Sequence, residues 1–357
     1  MWPDRRLLDL FGIARPIVQA PMVGPCTPAL AAAVSEAGDL GSLGLGALDD
    51  AAARERAGAL KALTNRPFNL NLFAHAAPGP DAAAKFEAAK AATATWRERT
   101  GAAAPPAPPP AGPGFDDARL ALLLDLRPAV ASFHFGPPPE HAVRALESAG
   151  IRLIASATTV AEARALEAAG MDAIIAQGWE AGGHRGSFHP NGATDGVGLF
   201  ALVPQVADAV SVPVIAAGAV MDGRGIAAAL ALGASGVQMG TAFLRTPEAA
   251  TEPRRRAALA AATDADTMPT DAVSGRTARA RRSPYADAMA GRPVAAFPQQ
   301  YALARPILEA DPEAASFPLY GQGAPLGRDA PAAELVAALT AEARAAISRL
   351  ASPPQST

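Results

Sequence analysis

Short apolar runs recur along the chain and alternate with longer, alanine-rich stretches. Eight of these runs have the near-continuous apolar character that is required of strands covered on both faces. They are Ile17–Ala20, Leu40–Leu43, Phe68–Phe73, Ala129–Phe133, Arg152–Ala155, Ala173–Ala176, Pro213–Ala216 and Gly236–Met239. Because the stretches between them suit helices, the pattern predicts a parallel sheet built from repeated strand–helix units.

The predicted helices carry readable end signals. Thr27-Pro28 has the form of an N-cap followed by proline, and Thr159 and Glu162 have capping-box spacing. Glycines follow several predicted helices where a left-handed residue would end them, at Gly38, Gly150, Gly170 and Gly233. Eight such units favour an α/β fold closed into a (β/α)₈ TIM barrel, with an open doubly wound sheet as the alternative.

Two segments depart from the repeat. Residues 76–128 form an insertion after the third strand, with a helical stretch at Asp81–Arg99 and a proline-rich run at 101–114. Such a run is expected to be an extended, mobile surface loop. We therefore expect a barrel over residues 1–264 and a C-terminal extension over 265–357, packed on the barrel and ending in a helix at about 331–351.

Composition narrows the class of protein. The 357 residues are 50% hydrophobic and carry a formal net charge of −3, which gives no sign of a nucleic-acid or membrane-surface partner. The one cysteine, Cys26, excludes an internal disulfide and is consistent with a reducing cytoplasm. No signal peptide or apolar run of membrane-spanning length is evident. We expect a cytoplasmic enzyme that is a monomer or homodimer.

Active sites of TIM barrels lie at the carboxyl ends of the strands. The residues at these ends are Pro21–Met22, Gly44, Asn71, His134, Ser156, Gln177, Gly218 and Gly240–Thr241. None of them is acidic, so a metal site built on carboxylates is disfavoured, and we expect no metal.

The most informative segment is the glycine-rich loop Gln177–Gly186, which follows the sixth strand and carries His184. Glycine lets backbone approach a ligand closely, and histidine titrates near physiological pH. His134, at the end of the fourth strand, can face the same pocket. Either imidazole could stabilise an anion or accept a proton from a carbon acid, although His134 could also be a satisfied residue of the inner rim. We assign no role to His75 and expect Cys26 to serve packing.

The last two strand ends predict a phosphate site. Gly218 leads into a predicted helix, and Gly240–Thr241 end the eighth strand. Backbone amides there, with a helix N-terminus, can hold a dianion without lysine or arginine. The amides of Asn71 and Gln177 can hydrogen-bond a planar heterocycle, so together these features favour FMN. A phosphorylated substrate with no flavin is the alternative.

Several motifs together resemble the nitronate monooxygenase family, class I. They are Pro16–Met22, Asn69–Phe73, Ser132–Gly136, Gln177–Gly186, Gly236–Thr241 and Tyr320–Gly323. The resemblance implies His184 as the group that acts on the substrate, with His134 nearby, and FMN bound without a covalent link. The residues it implies for FMN are Met22, Asn71, Gln177, Gly182, Gly183, Gly218, Gly240 and Thr241, with Tyr320 and Gln322 in the C-terminal element. Where the family usually has Trp-Ala before Gly-Gln, this chain has Leu319-Tyr320.

The resemblance also implies an activity. A small nitronate, such as propionate 3-nitronate, would be oxidised with O₂ to a carbonyl compound and nitrite, in detoxification. Two alternatives stay open at this point. One is an NAD(P)H-dependent FMN reductase of enoyl thioesters or quinones, and the other is a barrel that binds a phosphorylated ligand without catalysis. The chain has no Gly-x-Gly-x-x-Gly opening a βαβ unit, which only weakly disfavours a pyridine nucleotide.

Overall fold

The structure is a computed structural model, which describes residues 2–112, 114–189 and 196–351. In chain order the strands are β1 (Ile17–Gln19), β2 (Gly41–Gly44), β3 (Phe68–Phe73), β4 (Val130–His134), β5 (Arg152–Ala157), β6 (Ala173–Gln177), β7 (Gly183–His184), β8 (Val214–Ala217), β9 (Gly236–Met239), β10 (Thr267–Thr270) and β11 (Ala278–Arg281). Eight of them form a parallel sheet in the order β1-β9-β8-β6-β5-β4-β3-β2. A parallel backbone bridge from Val18 to Leu40 brings its two edges together, so the predicted TIM barrel is confirmed.

Helices surround this sheet. They are α1 (Arg6–Phe11), α2 (Pro28–Glu36), α3 (Asp50–Leu63), α4 (Ala82–Ala92), α5 (Ala94–Thr100), α6 (Asp117–Leu126), α7 (Glu140–Ser148), α8 (Val160–Ala168), α9 (Leu199–Ala207), α10 (Gly223–Ala231), α11 (Pro253–Ala260), α12 (Pro284–Met289), α13 (Tyr301–Ala310) and α14 (Ala332–Ala351). Short 3₁₀ turns occur at Thr241–Phe243 and Ala324–Leu326. Among the described residues no helix is long and apolar enough to cross a membrane.

The helix-end signals read from the sequence are largely present. The Thr27 hydroxyl accepts a hydrogen bond from the Leu30 amide at 2.9 Å, and the four glycines expected after helices all have positive φ. The capping box at α8 is only half formed. Thr159 accepts from the Glu162 amide, but the Glu162 carboxylate accepts from the Thr158 amide at 2.6 Å instead of from the cap residue.

The insertion after β3 is anchored on the C-terminal part of the chain. Its predicted single helix is divided at Thr93 into α4 and α5. The proline-rich run has no helix or strand in its described residues, and residue 113 lies outside them. The expected free surface loop is instead tied down, because Ala102 and Ala104 pack against apolar clusters of the extension and Gln299 Nε2 donates to the Pro109 carbonyl at 3.0 Å.

The terminal helix α14 belongs to the outer layer of the barrel. It packs between α10 and α2 and buries Leu335, Val336 and Leu339. The helix α14 belongs to the predicted extension at 265–357 and is in contact with two helices of the predicted barrel at 1–264.

Candidate active site

A cavity of about 710 Å³ lies at the carboxyl ends of the barrel strands, within the range of about 300–1,000 Å³ usual for small-molecule sites. The predicted site residues that line it are Met22, Asn71, His134, Gln177, Gly182, Gly183, His184, Gly218, Gly240, Thr241 and Tyr320. Gln322 is not among the lining residues. Its backbone N–H donates to the Glu180 carbonyl at 3.1 Å. The structure thus brings together residues that are far apart in the chain.

The glycine-rich loop is held by the residue at its start. Gln177 Oε1 accepts from the Gly186 amide at 2.7 Å, and Gln177 Nε2 donates to the His184 carbonyl at 3.0 Å. Within the loop, β7 pairs antiparallel with β11, which places His184 opposite Ala278. The Gln177 amide therefore fixes the loop from inside the barrel while the extension fixes it from outside.

His134 holds the same loop. Its Nε2 lies 3.0 Å from the His184 carbonyl and its Nδ1 lies 3.0 Å from Ser156 Oγ. Since a carbonyl can only accept, Nε2 must carry the hydrogen, and neutral Nδ1 accepts from the Ser156 hydroxyl. Burial lowers the pKa of His134 to about 4, which the bond to His184 partly opposes. Both ring nitrogens of His134 are thus engaged by protein groups, so neither is free to meet a bound molecule.

His184 presents a free polar atom to the cavity. Its Nε2 is buried and has no hydrogen-bond partner among the described residues. Phe135 and Phe297 pack edge-on against the imidazole, with ring centroids 5.9 and 5.6 Å away. Burial, then the neighbouring His134 and Arg276, lower the pKa of His184 to about 3. The ring is therefore neutral at physiological pH and can donate or accept one hydrogen bond at a bound molecule.

The ends of β3, β8 and β9 form a further part of the cavity. Asn71 Nδ2 donates to Ser132 Oγ at 2.9 Å, so that side chain is oriented by the neighbouring strand. Gly218 has a φ of 130°, a conformation that favours glycine. Thr241 Oγ1 accepts from the Gly321 amide at 3.0 Å, which joins the end of β9 to the C-terminal element.

Sequence reasoning missed several residues of this cavity. His75, to which we assigned no role, lines it and has a buried Nδ1 without a hydrogen-bond partner among the described residues. Its position two residues after β3 was a signal, because this is a strand end. Gln238 also lines the cavity with an unpartnered Oε1. The extension adds lining residues that no local pattern indicated, namely Phe297, Pro298, Tyr301, Arg305, Phe317 and Leu319.

Cys26 lies beneath the cavity and not in it. Its thiol is buried and accepts hydrogen bonds from the Met22 amide at 3.0 Å and from Gln19 Nε2 at 2.9 Å. Burial raises the pKa of this thiol to about 12, so it is not an activated nucleophile. In the part of the chain that the structure describes, no three His, Cys, Asp or Glu residues form a group that could hold a metal ion.

Comparison with known proteins agrees over nearly the whole chain. The family model described as nitronate monooxygenase matches residues 4–342. A nitronate monooxygenase of Paraburkholderia phytofirmans is 45% identical, with 97% of each chain covered. One of Pseudomonas aeruginosa is 44% identical over 95% of this chain and 99% of its own. The solved structure of a nitroalkane oxidase from Streptomyces ansochromogenes is 39% identical with a TM-score of 0.89, covering 97% of this chain and 100% of that chain. The chain is therefore an oxidoreductase that belongs to the nitronate monooxygenase family.

Proposed function

We propose that this enzyme binds FMN and oxidises small alkyl nitronates, such as propionate 3-nitronate, with O₂ to a carbonyl compound and nitrite. The observation that carries the proposal is the unpartnered Nε2 of His184 in a cavity lined by glycine and amide groups. A buried polar atom without a partner is costly. A bound molecule that forms a hydrogen bond with this nitrogen would remove the free-energy cost of leaving it unpaired.

The cavity fits FMN in two respects. A Cβ added to Gly183 would meet nothing within 4 Å, so the loop leaves open space beside its backbone. The glycines at the ends of β8 and β9 lie where barrels of this class commonly hold phosphate. Asn71, Gln238 and Gly183 would contact the ring system, and Gly218, Gly240 and Thr241 the phosphate. Bound FMN would supply the electron acceptor for the oxidation.

The protein's own groups would orient the substrate and exchange a proton or a hydrogen bond with it. Neutral His184 can donate from Nε2 to a nitronate oxygen, or accept at that atom the proton of a neutral nitroalkane. His134 and Gln177 hold the His184 backbone in place by bonds to its carbonyl. The rings of Phe297 and Phe317 pack against the imidazole and exclude water from this part of the cavity.

The test is anaerobic mixing of the FMN-loaded protein with propionate 3-nitronate, followed by admission of air. We expect the nitronate to change the oxidised flavin spectrum promptly, nitrite to appear in air, and NADH to leave the spectrum unchanged. Rapid bleaching by NADH with no response to the nitronate would overturn the proposal in favour of an enoyl or quinone reductase. A protein that stays colourless after reconstitution with FMN would instead favour a phosphorylated ligand.

A further inference from the structure

Arg276 is a buried arginine that the activity proposed above does not use. It lies between β10 and β11 with 5% of its surface exposed. It forms no ion pair with any carboxylate of the described residues, and burial lowers its pKa to about 10. Buried charges are normally paired, because an unpaired one is expensive to desolvate. The burial of an unpaired guanidinium at this position therefore needs a structural or functional explanation.

The guanidinium packs on two aromatic rings, of which Phe297 lines the cavity and Phe135 does not. Its central carbon is 4.2 Å from the ring centroid of Phe135 and 5.8 Å from that of Phe297, which is cation–π range. The same two rings pack edge-on against His184 and against His75, at 6.0 and 4.9 Å. Arg276 itself is not a lining residue of the cavity. Its charge thus acts on the site through the rings, without contact with a ligand.

The same residue holds the chain directly after the glycine-rich loop that carries His184. Arg276 Nη1 donates to the Ser187 carbonyl at 2.8 Å. The next residue, Thr277, accepts from the Arg185 amide at 2.9 Å, and Ala278 pairs with His184. One short segment of the extension therefore holds the loop that carries His184 by backbone and side chain together.

Phe135, on which the guanidinium stacks, has a φ of 77°. This left-handed conformation is strained for a bulky residue and persists only where its surroundings enforce it. The stacked guanidinium is one such constraint. The Phe135 ring, which packs against His184, is thus held in position by the guanidinium stacked on it.

We propose that Arg276 is a positioning residue that fixes the His184 loop and the rings of Phe135 and Phe297 that pack against His184, and that it supplies an unpaired positive charge that favours an anionic substrate. The inference rests on the proposed function in so far as a nitronate is that anion. The positive charge also disfavours a second positive charge nearby, so it adds to the effect of burial, which keeps the cavity imidazoles neutral.

The electrostatic setting agrees with this role. Burial is the largest cause of the lowered pKa values of His75, His134 and His184, and Arg276 lowers all three further. Other charged groups also face His134: Arg185 lowers its pKa and Glu162 raises it. Removing the Arg276 charge should therefore let the imidazoles take up protons at higher pH.

The experiment compares Arg276→Met, which removes the charge, with Arg276→Lys, which keeps it. Arg279→Met is the matched control, because Arg279 is equally buried at 5% exposure but packs on Trp179, with its carbon 5.6 Å from that ring. The first readout is the titration of the histidine side chains by NMR in the FMN-loaded protein. The chain has five histidines, and His184→Asn assigns the relevant signal. The second readout is KM and kcat for propionate 3-nitronate.

In Arg276→Met we expect the midpoint of His184 to rise by about one pH unit or more, and KM to rise about tenfold with a smaller change in kcat. Arg276→Lys should keep the midpoint low, and Arg279→Met should leave it unchanged. A folded Arg276→Met protein with wild-type midpoint and KM would overturn the inference. A wild-type protein that oxidises no nitronate would contradict the proposed function instead, and the NMR midpoint, which needs no turnover, would still decide the role of Arg276.

Discussion

At the residue scale, two adjacent glycines of the site are needed for different reasons. A Cβ on Gly182 would lie 2.4 Å from both the Gly321 amide nitrogen and the Tyr320 carbonyl carbon. Gly183 has open space around it but a φ of 81°. The first glycine permits close backbone packing, whereas the second permits a conformation that other residues rarely adopt.

This difference can be measured. Gly183→Ala should cost about 1–2 kcal/mol of unfolding free energy, the usual penalty of a left-handed conformation. Gly182→Ala should cost more and should weaken FMN retention, because the C-terminal element must move away from the loop. Urea unfolding and the fraction of protein that elutes with bound flavin give both quantities. Equal losses of stability and of flavin in the two variants would contradict this distinction between close packing at Gly182 and conformation at Gly183.

His184→Asn tests the free imidazole nitrogen. The change spares the backbone carbonyl, which accepts from His134 and Gln177, so FMN should stay bound. Turnover should fall at least about tenfold, the lower end of what a lost acid–base group costs. Nitrite release measures turnover, and the visible spectrum of the purified variant reports the flavin. An unchanged rate would remove His184 from the chemistry.

Much of the site could be predicted from strand ends alone. His134, Gln177 and Gly218 stand at the ends of β4, β6 and β8, and local hydrophobic pattern locates these ends well. The roles were harder to predict, because a hydrogen-bond partner such as the His184 carbonyl is set by loop conformation. Lining residues such as Phe297 depend on contacts between distant parts of the chain, which no local period reveals.

At the element scale, α14 shows most clearly that tertiary contacts, and not the local sequence pattern, determine where a helix is placed in the fold. The sequence indicated a helix there, and the helix begins at Ala332, close to the predicted residue 331. Its place in the barrel layer was not predicted, because nothing in the pattern says which neighbours a terminal helix covers. An added Cβ on Gly223 would lie 2.3 Å from the Ala343 amide nitrogen, so α10 and α14 approach closely.

Leu339→Ala in α14 should therefore destabilise the whole barrel. Leu339 is fully buried, and a buried leucine truncated to alanine costs about 2–5 kcal/mol. We expect one cooperative unfolding transition at lower urea concentration, with kcat retained at low temperature because the cavity is not touched. Leu350→Ala is the control, as Leu350 is 75% exposed. A separate early transition would mean that α14 unfolds on its own.

At the scale of the whole molecule, the buried imidazoles make stability depend on pH. Burial lowers the pKa values of His75 and His134 to about 4 and that of His184 to about 3, whereas unfolded histidines titrate near about 6.5. Below that pH the unfolded chain binds protons that the folded protein does not, so stability is lost as pH falls from about 6.5 towards about 4. Burial raises the pKa of Asp39 to about 7. In the same pH range the folded protein therefore binds one proton at Asp39 that the unfolded chain does not, and this offsets part of the loss of stability.

Urea midpoints measured between about pH 7 and pH 4.5 check the sign. The wild-type midpoint should fall as the solution becomes more acidic. His75→Gln should make the fall shallower, because one proton fewer is taken up on unfolding, and Asp39→Asn should make it steeper. Identical slopes in the two variants would contradict the assignment of these groups.

The return of α14 to the barrel also bears on how the chain folds as it is made. A ribosome releases β9, the last barrel strand, well before α14, since residues 240–331 lie between them. Until α14 emerges, apolar faces of α2 and α10 have no cover, and chains at this stage are prone to aggregate. Premature termination before residue 332 should therefore yield insoluble protein, even though every strand of the barrel has already been translated.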